Sequence, residues 1–496
     1  MKKSKKVARI LIIAPNMIGL KDGINRIQPG HGMGLIAGNL RDLGHEVFIR
    51  DTALEGYSNI IPVGNNDLVS IGEEENITRN FIDNLRPDLV LVSILYSNLA
   101  SHGKTIARIA KEVNPKIVTV LGGNHVNYNY KEVLSDLYVD FVVVGECDFS
   151  VGELINTYYK GGDVGNVKGV AYMKNGKVFE TGKSDRINDL DTLPREAREL
   201  MNMEGYFELG LFHSPKGKNR VGNVMATRGC PEKCTFCTTP DAWGSFVRWR
   251  SPQNIYEEIK ELVNIYKVEE IQFDDDTLTA NRKKLLELCD LIAPLETRWC
   301  TPNGIKINYH SKNPEMQDYL YKKMYDSGCY QVTFAVESGN QEVLDRTKKR
   351  LPLETVKPAI ESAKKAGLLV HTFWMVGFPG ESFEQMEETI KYAEEVEADS
   401  YSVSITSPLP GTPLFEEVSR KRLFIDDISP EEAIEKIIFS KSLIKVNGFD
   451  TGEEFEDWVH NQNLYLNKLL LKKDPERYKI KYGTIKTDDR VLRRQA

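Results

Sequence analysis

Cysteine is scarce in this chain, at 7 of 496 residues. The number is odd and the spacing irregular, which argues against a disulfide framework and for a reducing compartment, here the cytoplasm. Long apolar runs are missing. Nothing approaches the roughly 20 residues of a membrane-spanning helix. "VARILIIAP", after the basic opening "MKKSKK", is strand-length with no cleavage signal, so neither a signal peptide nor a transmembrane segment is expected. An excess of positive charge is also lacking: the net charge is -7, which weighs against nucleic acid as a partner. Histidines are few and follow no metal-ligand spacing; His125 and His371 are expected to be polar contacts or satisfied core groups. No internal repeat or low-complexity tract occurs. What remains is an ordinary globular composition, in a chain too long for one core, so several domains are expected.

The first 150 or so residues alternate strand-sized apolar runs with helical patterns. "ARILIIAP", "EVFIRD", "DLVLVSIL", "KIVTVLGG" and "DFVVVGE" are the runs. Apolar strands separated by helices predict a doubly wound, Rossmann-like α/β domain with a parallel sheet, whose ligands sit beyond the carboxyl ends of the strands. Those ends carry "DTALEG" (Asp51, Ala53, Gly56), "SILYS" (Ser93, Leu95, Tyr96) and "LGG" (Gly122, Gly123). No G-x-G-x-x-G follows the first strand, which disfavours a dinucleotide.

Together these segments resemble the cobalamin-binding domain, with its D-x-H-x-x-G, S-x-L and G-G pattern. Asp51, Gly56, Ser93, Leu95, Gly122 and Gly123 match in order and location, and Ala53 stands where that family has its cobalt-ligating histidine. The resemblance implies cobalamin bound base-off and without a histidine ligand, with Tyr96 available to shield the lower face.

After a stretch read as a connector, with a hairpin turning at Asn175-Gly176, a second alternation begins. Six strand-like runs, from "GNVMATRGC" to "SYSVSITSPLP", separated by amphipathic helices, predict a partial (β/α)6 barrel with its chemistry at the strands' carboxyl ends. Just beyond the first run stands "CPEKCTFC", with Cys230, Cys234 and Cys237 spaced C-x3-C-x2-C. A closed zinc site would need a fourth ligand. Cys289, Cys300 and Cys329 are distant, and burial is the expected state of Cys289 and Cys329.

This loop resembles that of radical S-adenosylmethionine (SAM) enzymes, where three cysteines hold three irons of a [4Fe-4S] cluster and SAM takes the fourth. The resemblance implies that Phe236 contacts adenine through its backbone. From "FDDDT" (Asp274 to Asp276), it implies Asp275 and Asp276 beside SAM's positive charge. Glu337 and Ser338 of "FAVESG" would contact the ribose or methionyl part, and Gly377 of "MVGFPGES" would form the adenine platform. Of Arg248 and Arg250, Arg248 is the choice for the SAM carboxylate.

Cobalamin domain followed by radical SAM barrel is the order of the cobalamin-dependent (class B) radical SAM family. Its members imply an enzyme that methylates an unactivated carbon, with a deoxyadenosyl radical abstracting hydrogen and methylcobalamin donating the methyl. The expected partners are a small-molecule or biosynthetic-intermediate substrate and an electron donor such as flavodoxin or ferredoxin. Oxidative cyclisation or ring rearrangement with the same cofactors is the alternative, and a non-catalytic cobalamin carrier or sensor a further one. tRNA methylthiolation needs three more amino-terminal cysteines, and only Cys147 precedes Cys230. The expected domains are 1–160 (cobalamin), 161–214 (connector), 215–415 (barrel) and 416–496 (a helical cap over one barrel end).

Overall fold

The computed structural model describes residues 7–21, 23, 25–64, 68–210, 220–438 and 440–475. The expected 214/215 boundary and the chain beyond 475 lie outside the described residues. The chain divides into two compact units, Met1–Leu209 and Gly210–Ala496.

In the first unit the strands are β1 (Arg9–Ala14), β2 (Met17–Leu20), β3 (Glu46–Asp51), β4 (Ile60–Pro62), β5 (Leu68–Ile71), β6 (Leu89–Ser93), β7 (Val118–Gly122), β8 (Phe141–Val143), β9 (Val170–Lys174) and β10 (Lys177–Glu180). The main sheet has the order β10-β9-β8-β7-β6-β1-β3, and β2, β5 and β4 form a small antiparallel sheet. From β3 to β8 all pairings are parallel. Ile10, Leu11, Ile12 and Ile13, like Leu89 to Val92, are buried without alternation, as strands covered on both faces must be. The order reverses between β1 and β6, and this switch point opens the crevice beyond their carboxyl ends.

The stretch expected to be a connector differs from that expectation. Its hairpin β9–β10 turns at Asn175 and Gly176, both with positive φ (53° and 74°), the type I′ geometry. β9 then pairs antiparallel with β8, setting Ala171 against Val142 and Val170 against Val143, so the hairpin extends the first sheet. The following segment stays with this unit too: a Cβ at Gly38 would lie 2.2 Å from the carbonyl oxygen of Arg195.

The second unit contains β11 (Val221–Val224), β12 (Thr227–Arg228), β13 (Arg248–Trp249), β14 (Glu270–Phe273), β15 (Arg298–Ile305), β16 (Cys329–Glu337), β17 (Leu369–Val376) and β18 (Ser400–Ile405). Six of them form one parallel sheet in chain order, β11-β14-β15-β16-β17-β18, with β11 and β18 as its two outer strands, which do not pair with each other: the partial barrel expected. Helices return the chain between strands. Ser251, Asn281, Asn313 and Ser382 cap four of them, each accepting a backbone N–H from the first turn.

The carboxyl-terminal helix Gly452–Lys473 was expected to lie over a barrel end. It closes the sheet's edge instead. Asn467 accepts from the Tyr401 amide (3.0 Å) and donates to its carbonyl (2.9 Å); Asn463 does the same at Val403 (2.8 and 2.8 Å). Two asparagines four apart on a helix thus saturate two residues two apart on β18, removing an edge that would otherwise pair with another chain. Among the described residues no helix is long and apolar enough to cross a membrane.

Candidate cofactor site

The three-cysteine loop leaves the short ladder β12–β13, in which Thr227 faces Trp249 and Arg228 faces Arg248. It is fixed at several points. Gly229 has φ +103°, and a Cβ there would meet the carbonyl of Phe246 at 2.3 Å. The Thr277 hydroxyl donates to the Gly229 carbonyl (2.9 Å), and the Cys230 amide to that of Gly244 (3.0 Å). The Thr235 amide donates to the Thr347 carbonyl (2.9 Å), and Thr235's own carbonyl accepts from Leu414 (2.9 Å). Cys234 is buried, while Cys230 and Cys237 are half-buried; all are free thiols.

Burial pushes the thiol of Cys230 up to about 11 and that of Cys234 up to about 12, and each feels Cys237 nearby. Among the described residues no three His, Cys, Asp or Glu side chains converge as a single metal ion would require. A cubane cluster asks something else: each thiolate binds its own iron, so the three sulfurs stand apart. Three adjacent thiols, in a loop already fixed by its backbone, fit that donor set. Cys289, Cys300 and Cys329 are fully buried elsewhere in the barrel wall, as expected for Cys289 and Cys329.

The acidic strand end divides by direction. Asp275 is turned inward, its carboxylate accepting from the Ala226 amide (3.1 Å to each oxygen) and from the Thr227 hydroxyl (2.5 Å). Burial raises it to about 7. The expected contact of Asp275 with SAM is therefore corrected: this carboxylate holds the strand that delivers the cysteine loop. Asp274 accepts from Asn223 (3.1 Å). Asp276 opens to solvent while protein surrounds its other sides; this desolvation raises its pKa, and Cys230 and Cys237 both feel its charge. Of the three aspartates it is the exposed one, and it lies beside the cysteines.

Glu337, at φ +76°, pairs with Lys349 at 2.8 Å, both buried. Burial opposes the charge on Lys349, but Glu337 and Cys234 outweigh it and hold its pKa above the usual lysine value. Ser338, expected at the ligand, is fully buried; its hydroxyl contacts Thr389 (3.0 Å) and accepts from the Asn340 amide (3.1 Å). Arg248 is buried too and donates to the Trp243 carbonyl (2.7 Å). Arg250 is spent on Glu258 and Asn254. Neither arginine is placed as expected for an open carboxylate site.

Gly377 has φ +84°, and a Cβ there would strike the Phe455 ring at 2.7 Å. Its amide and that of Phe378 both donate to one oxygen of Glu381 (2.8 and 2.9 Å). Glu381 is fully buried and burial raises it to about 7; its other oxygen has no hydrogen-bond partner among the described residues. Phe236 packs against Phe378, ring centres 5.6 Å apart, bringing the cysteine loop to the glycine turn. Sequence reasoning missed Glu381 and Lys349. The first stood in view in "GFPGES"; the second, in "RTKKRL", carries no distinguishing signal.

In the first unit Asp51 caps the short helix Thr52–Glu55, accepting from the amides of Ala53 (3.1 Å) and Leu54 (3.3 Å), while the Tyr206 hydroxyl donates to its second oxygen (2.8 Å). Ala53 is buried in that first turn. Gly56 lies where a Cβ would be 2.3 Å from the Glu73 amide nitrogen, and at Gly123, φ +110°, a Cβ would be 2.4 Å from the Ile94 carbonyl oxygen. These glycines serve the loops' own packing. The structural sign of a ligand lies between them: beyond the half-buried Ser93 at the end of β6, Leu95 and Tyr96 are each 52% exposed. An apolar ledge at the switch point of a doubly wound sheet fits one face of a large flat ligand. His125 is buried and neutral, burial lowering it to about 4, with its Nδ1 near Ser97 (3.1 Å). His371 lies between Ser400 (2.6 Å) and Ser402 (3.1 Å), a polar contact as expected.

Comparison with known proteins agrees with this arrangement. The model of the B12 binding domain matches residues 27–154 and that of the radical SAM superfamily residues 224–393. The chain is 33% identical over 496 residues to cytidylyl-2-hydroxyethylphosphonate methyltransferase of Streptomyces wedmorensis, covering 94% of this chain and 91% of that one. It is 30% identical over 443 residues to the anaerobic magnesium-protoporphyrin IX monomethyl ester cyclase of Rubrivivax gelatinosus, covering 87% and 75%. Among solved structures, the fold is similar to that of the cobalamin-dependent SAM radical enzyme OxsB (TM-score 0.73, 13% identity, 96% of this chain and 70% of that one). It is also similar to that of the methyltransferase TsrM from Kitasatospora setae (TM-score 0.65, 14% identity, 84% and 76%). A B12-binding unit ahead of an open parallel barrel with a three-cysteine loop defines the class, and this chain belongs to the cobalamin-dependent radical SAM enzymes.

Proposed function

We propose that this protein methylates an unactivated carbon of a small-molecule substrate. The observation that carries the reading is the 33% identity, over nearly the whole of both chains, to a methyltransferase of this family. Its named substrate, a cytidylylated 2-hydroxyethylphosphonate, is the first compound to test. When bound, the [4Fe-4S] cluster with SAM supplies a radical able to abstract hydrogen, and cobalamin supplies the methyl group.

The chain's own residues do the rest. Cys230, Cys234 and Cys237 each hold one iron and leave a fourth for SAM. Asp276 faces SAM's positive charge. Asp275 and Thr227 hold the strand behind the loop. Glu381 fixes the Gly377 and Phe378 amides, and so holds the glycine turn beside Phe236, where adenine would lie. In the first unit the segments at 51–56, 93–96 and 122–123 hold cobalamin. Ala53 has no donor atom and so would offer cobalt no ligand, while the exposed Tyr96 ring would pack against the corrin. A low-potential one-electron carrier, flavodoxin or ferredoxin, supplies reducing equivalents.

The 30% identity to a porphyrin-ester cyclase supports a second reading, oxidative cyclisation with the same cofactors. Anaerobic reconstitution tests what the two share. One [4Fe-4S] cluster and formation of 5′-deoxyadenosine are expected. Both should vanish when Cys230, Cys234 and Cys237 are replaced by alanine and persist in Cys289→Ala. Full SAM cleavage by the triple variant would end both readings. A product heavier by one methyl decides for methylation.

A further inference from the structure

Beside the cysteine loop, on the second unit, is an open recess of about 270 Å³ lined by Lys233, Asp345, Lys348 and Arg350. All four side chains are exposed. Arg350 is paired with Glu232, which leaves Lys233 and Lys348, among the described residues, as the unpaired cations of the recess against Asp345, on a chain of net charge -7. One side of the recess is Lys233 of the cysteine loop and the other the 345–350 segment. Lys233 directly precedes Cys234, and Lys348 directly precedes Lys349, whose charge Cys234 and Cys237 both feel. The two loops are tied by the Thr235–Thr347 hydrogen bond (2.9 Å) and by Arg350, which donates to Glu232 (2.9 Å) and to the Pro231 carbonyl (2.7 Å). A partner seated here would be one loop's thickness from two of the proposed iron ligands.

We propose that this recess is the docking surface for an acidic protein that carries a low-potential one-electron centre. The inference rests on the functional reading above, which requires electrons from outside the chain. In the step concerned, one electron leaves the reduced carrier and enters the cluster; the carrier is oxidised by one electron, the cluster is reduced by one, and no bond or proton moves. The charges suit such an encounter: an open, cationic, concave surface raises the association rate of an anionic protein and makes that rate fall with salt. The recess is small and open, which suits the small interfaces of transient redox encounters. Lys233 and Lys348 form no ion pair among the described residues, so their charge is available to a partner.

The test uses the full chain, anaerobically reconstituted, with reduced flavodoxin as probe. Cluster reduction is followed by stopped-flow absorbance over a salt series, in the wild type and in Lys233→Glu/Lys348→Glu. The variant should be reduced about tenfold more slowly at low salt, and its rate should depend far less on salt. Reduction by the methyl viologen radical cation, which the new carboxylates cannot repel, should not slow, and the cluster's potential should be unchanged. Equal flavodoxin rates in the two proteins would overturn the proposal. So would equal slowing with viologen, which places the change in the cluster, or saturable phosphate binding with the flavodoxin rate untouched, which gives the recess to a small anion. If the double variant does not assemble its cluster, Lys233→Gln and Lys348→Gln carry the same test with an effect of about threefold each. SAM cleavage driven by viologen separates the two levels: if it persists while docking fails, the functional reading stands.

Discussion

The hydroxyl of Thr227 donates to Asp275 at 2.5 Å, across the junction between the first barrel strand and the cysteine loop, while the neighbouring Asp276 faces solvent. Two adjacent carboxylates thus have different duties. Asp275→Ala leaves a buried amide and hydroxyl without their acceptor, a loss of about 1–3 kcal/mol for each group. It should lower the melting temperature and the iron content together. Asp276→Ala should keep fold and cluster but weaken SAM binding by roughly tenfold or more, read by calorimetry on the reconstituted protein. If the two variants exchange these phenotypes, the assignment is wrong.

Glu381 gives stability a pH dependence of definite sign. Burial raises its folded-state pKa to about 7, above its ordinary value of 4.5. Between those values the unfolded chain releases a proton that the folded chain keeps. Its contribution is therefore full below pH 4.5, declines as pH rises toward 7 and is constant above. Glu381→Gln keeps an acceptor for Gly377 and Phe378 but cannot ionise. Urea melts at pH 5 and pH 8 should show this variant gaining on the wild type at the higher pH, by at most about 3 kcal/mol. A difference that does not move with pH would contradict a neutral, buried Glu381.

Asn463 and Asn467 satisfy four backbone groups of the edge strand. Replacing both by alanine should cost at least about 3 kcal/mol. Hydrogen exchange at Tyr401 and Val403 should accelerate far more than at Phe334 in the sheet's centre. Unchanged protection at the edge would show that helix packing alone closes the barrel.

For cobalamin, Ala53 and the buried His125, whose pKa burial lowers to about 4, make a specific expectation. The paramagnetic resonance spectrum of the cob(II)alamin-loaded protein should lack superhyperfine splitting from an axial nitrogen. Splitting that disappears in His125→Ala would instead make that histidine a ligand.

Much of this was legible in the sequence, for reasons that particular residues make plain. The continuous burial of Ile10 to Ile13 leaves a run that no loop would carry, and the crowding of Cys230, Cys234 and Cys237 is local. Side-chain direction was not legible. Asp275 and Asp276 are chemically identical, and only the end of β14 decides which turns inward. Ser338 stands where the resemblance puts a SAM contact and Arg248 has the type that suits a carboxylate, yet Thr389 and the Trp243 carbonyl bond them. Long-range partnerships were equally hidden. Nothing near Asn463 signals an edge strand 60 residues earlier, and the hairpin at Asn175-Gly176 showed its turn but not the strand it would join.

The central claim is that carbon is transferred. The direct measurement is anaerobic turnover with SAM carrying a deuterated methyl group, with cobalamin, a reductant and cytidylylated 2-hydroxyethylphosphonate, or failing that an extract of the native cell, followed by mass spectrometry. The account predicts 5′-deoxyadenosine together with a product that has gained one labelled methyl in place of a hydrogen. A substrate oxidised or rearranged with no label incorporated, while SAM is cleaved, would contradict it.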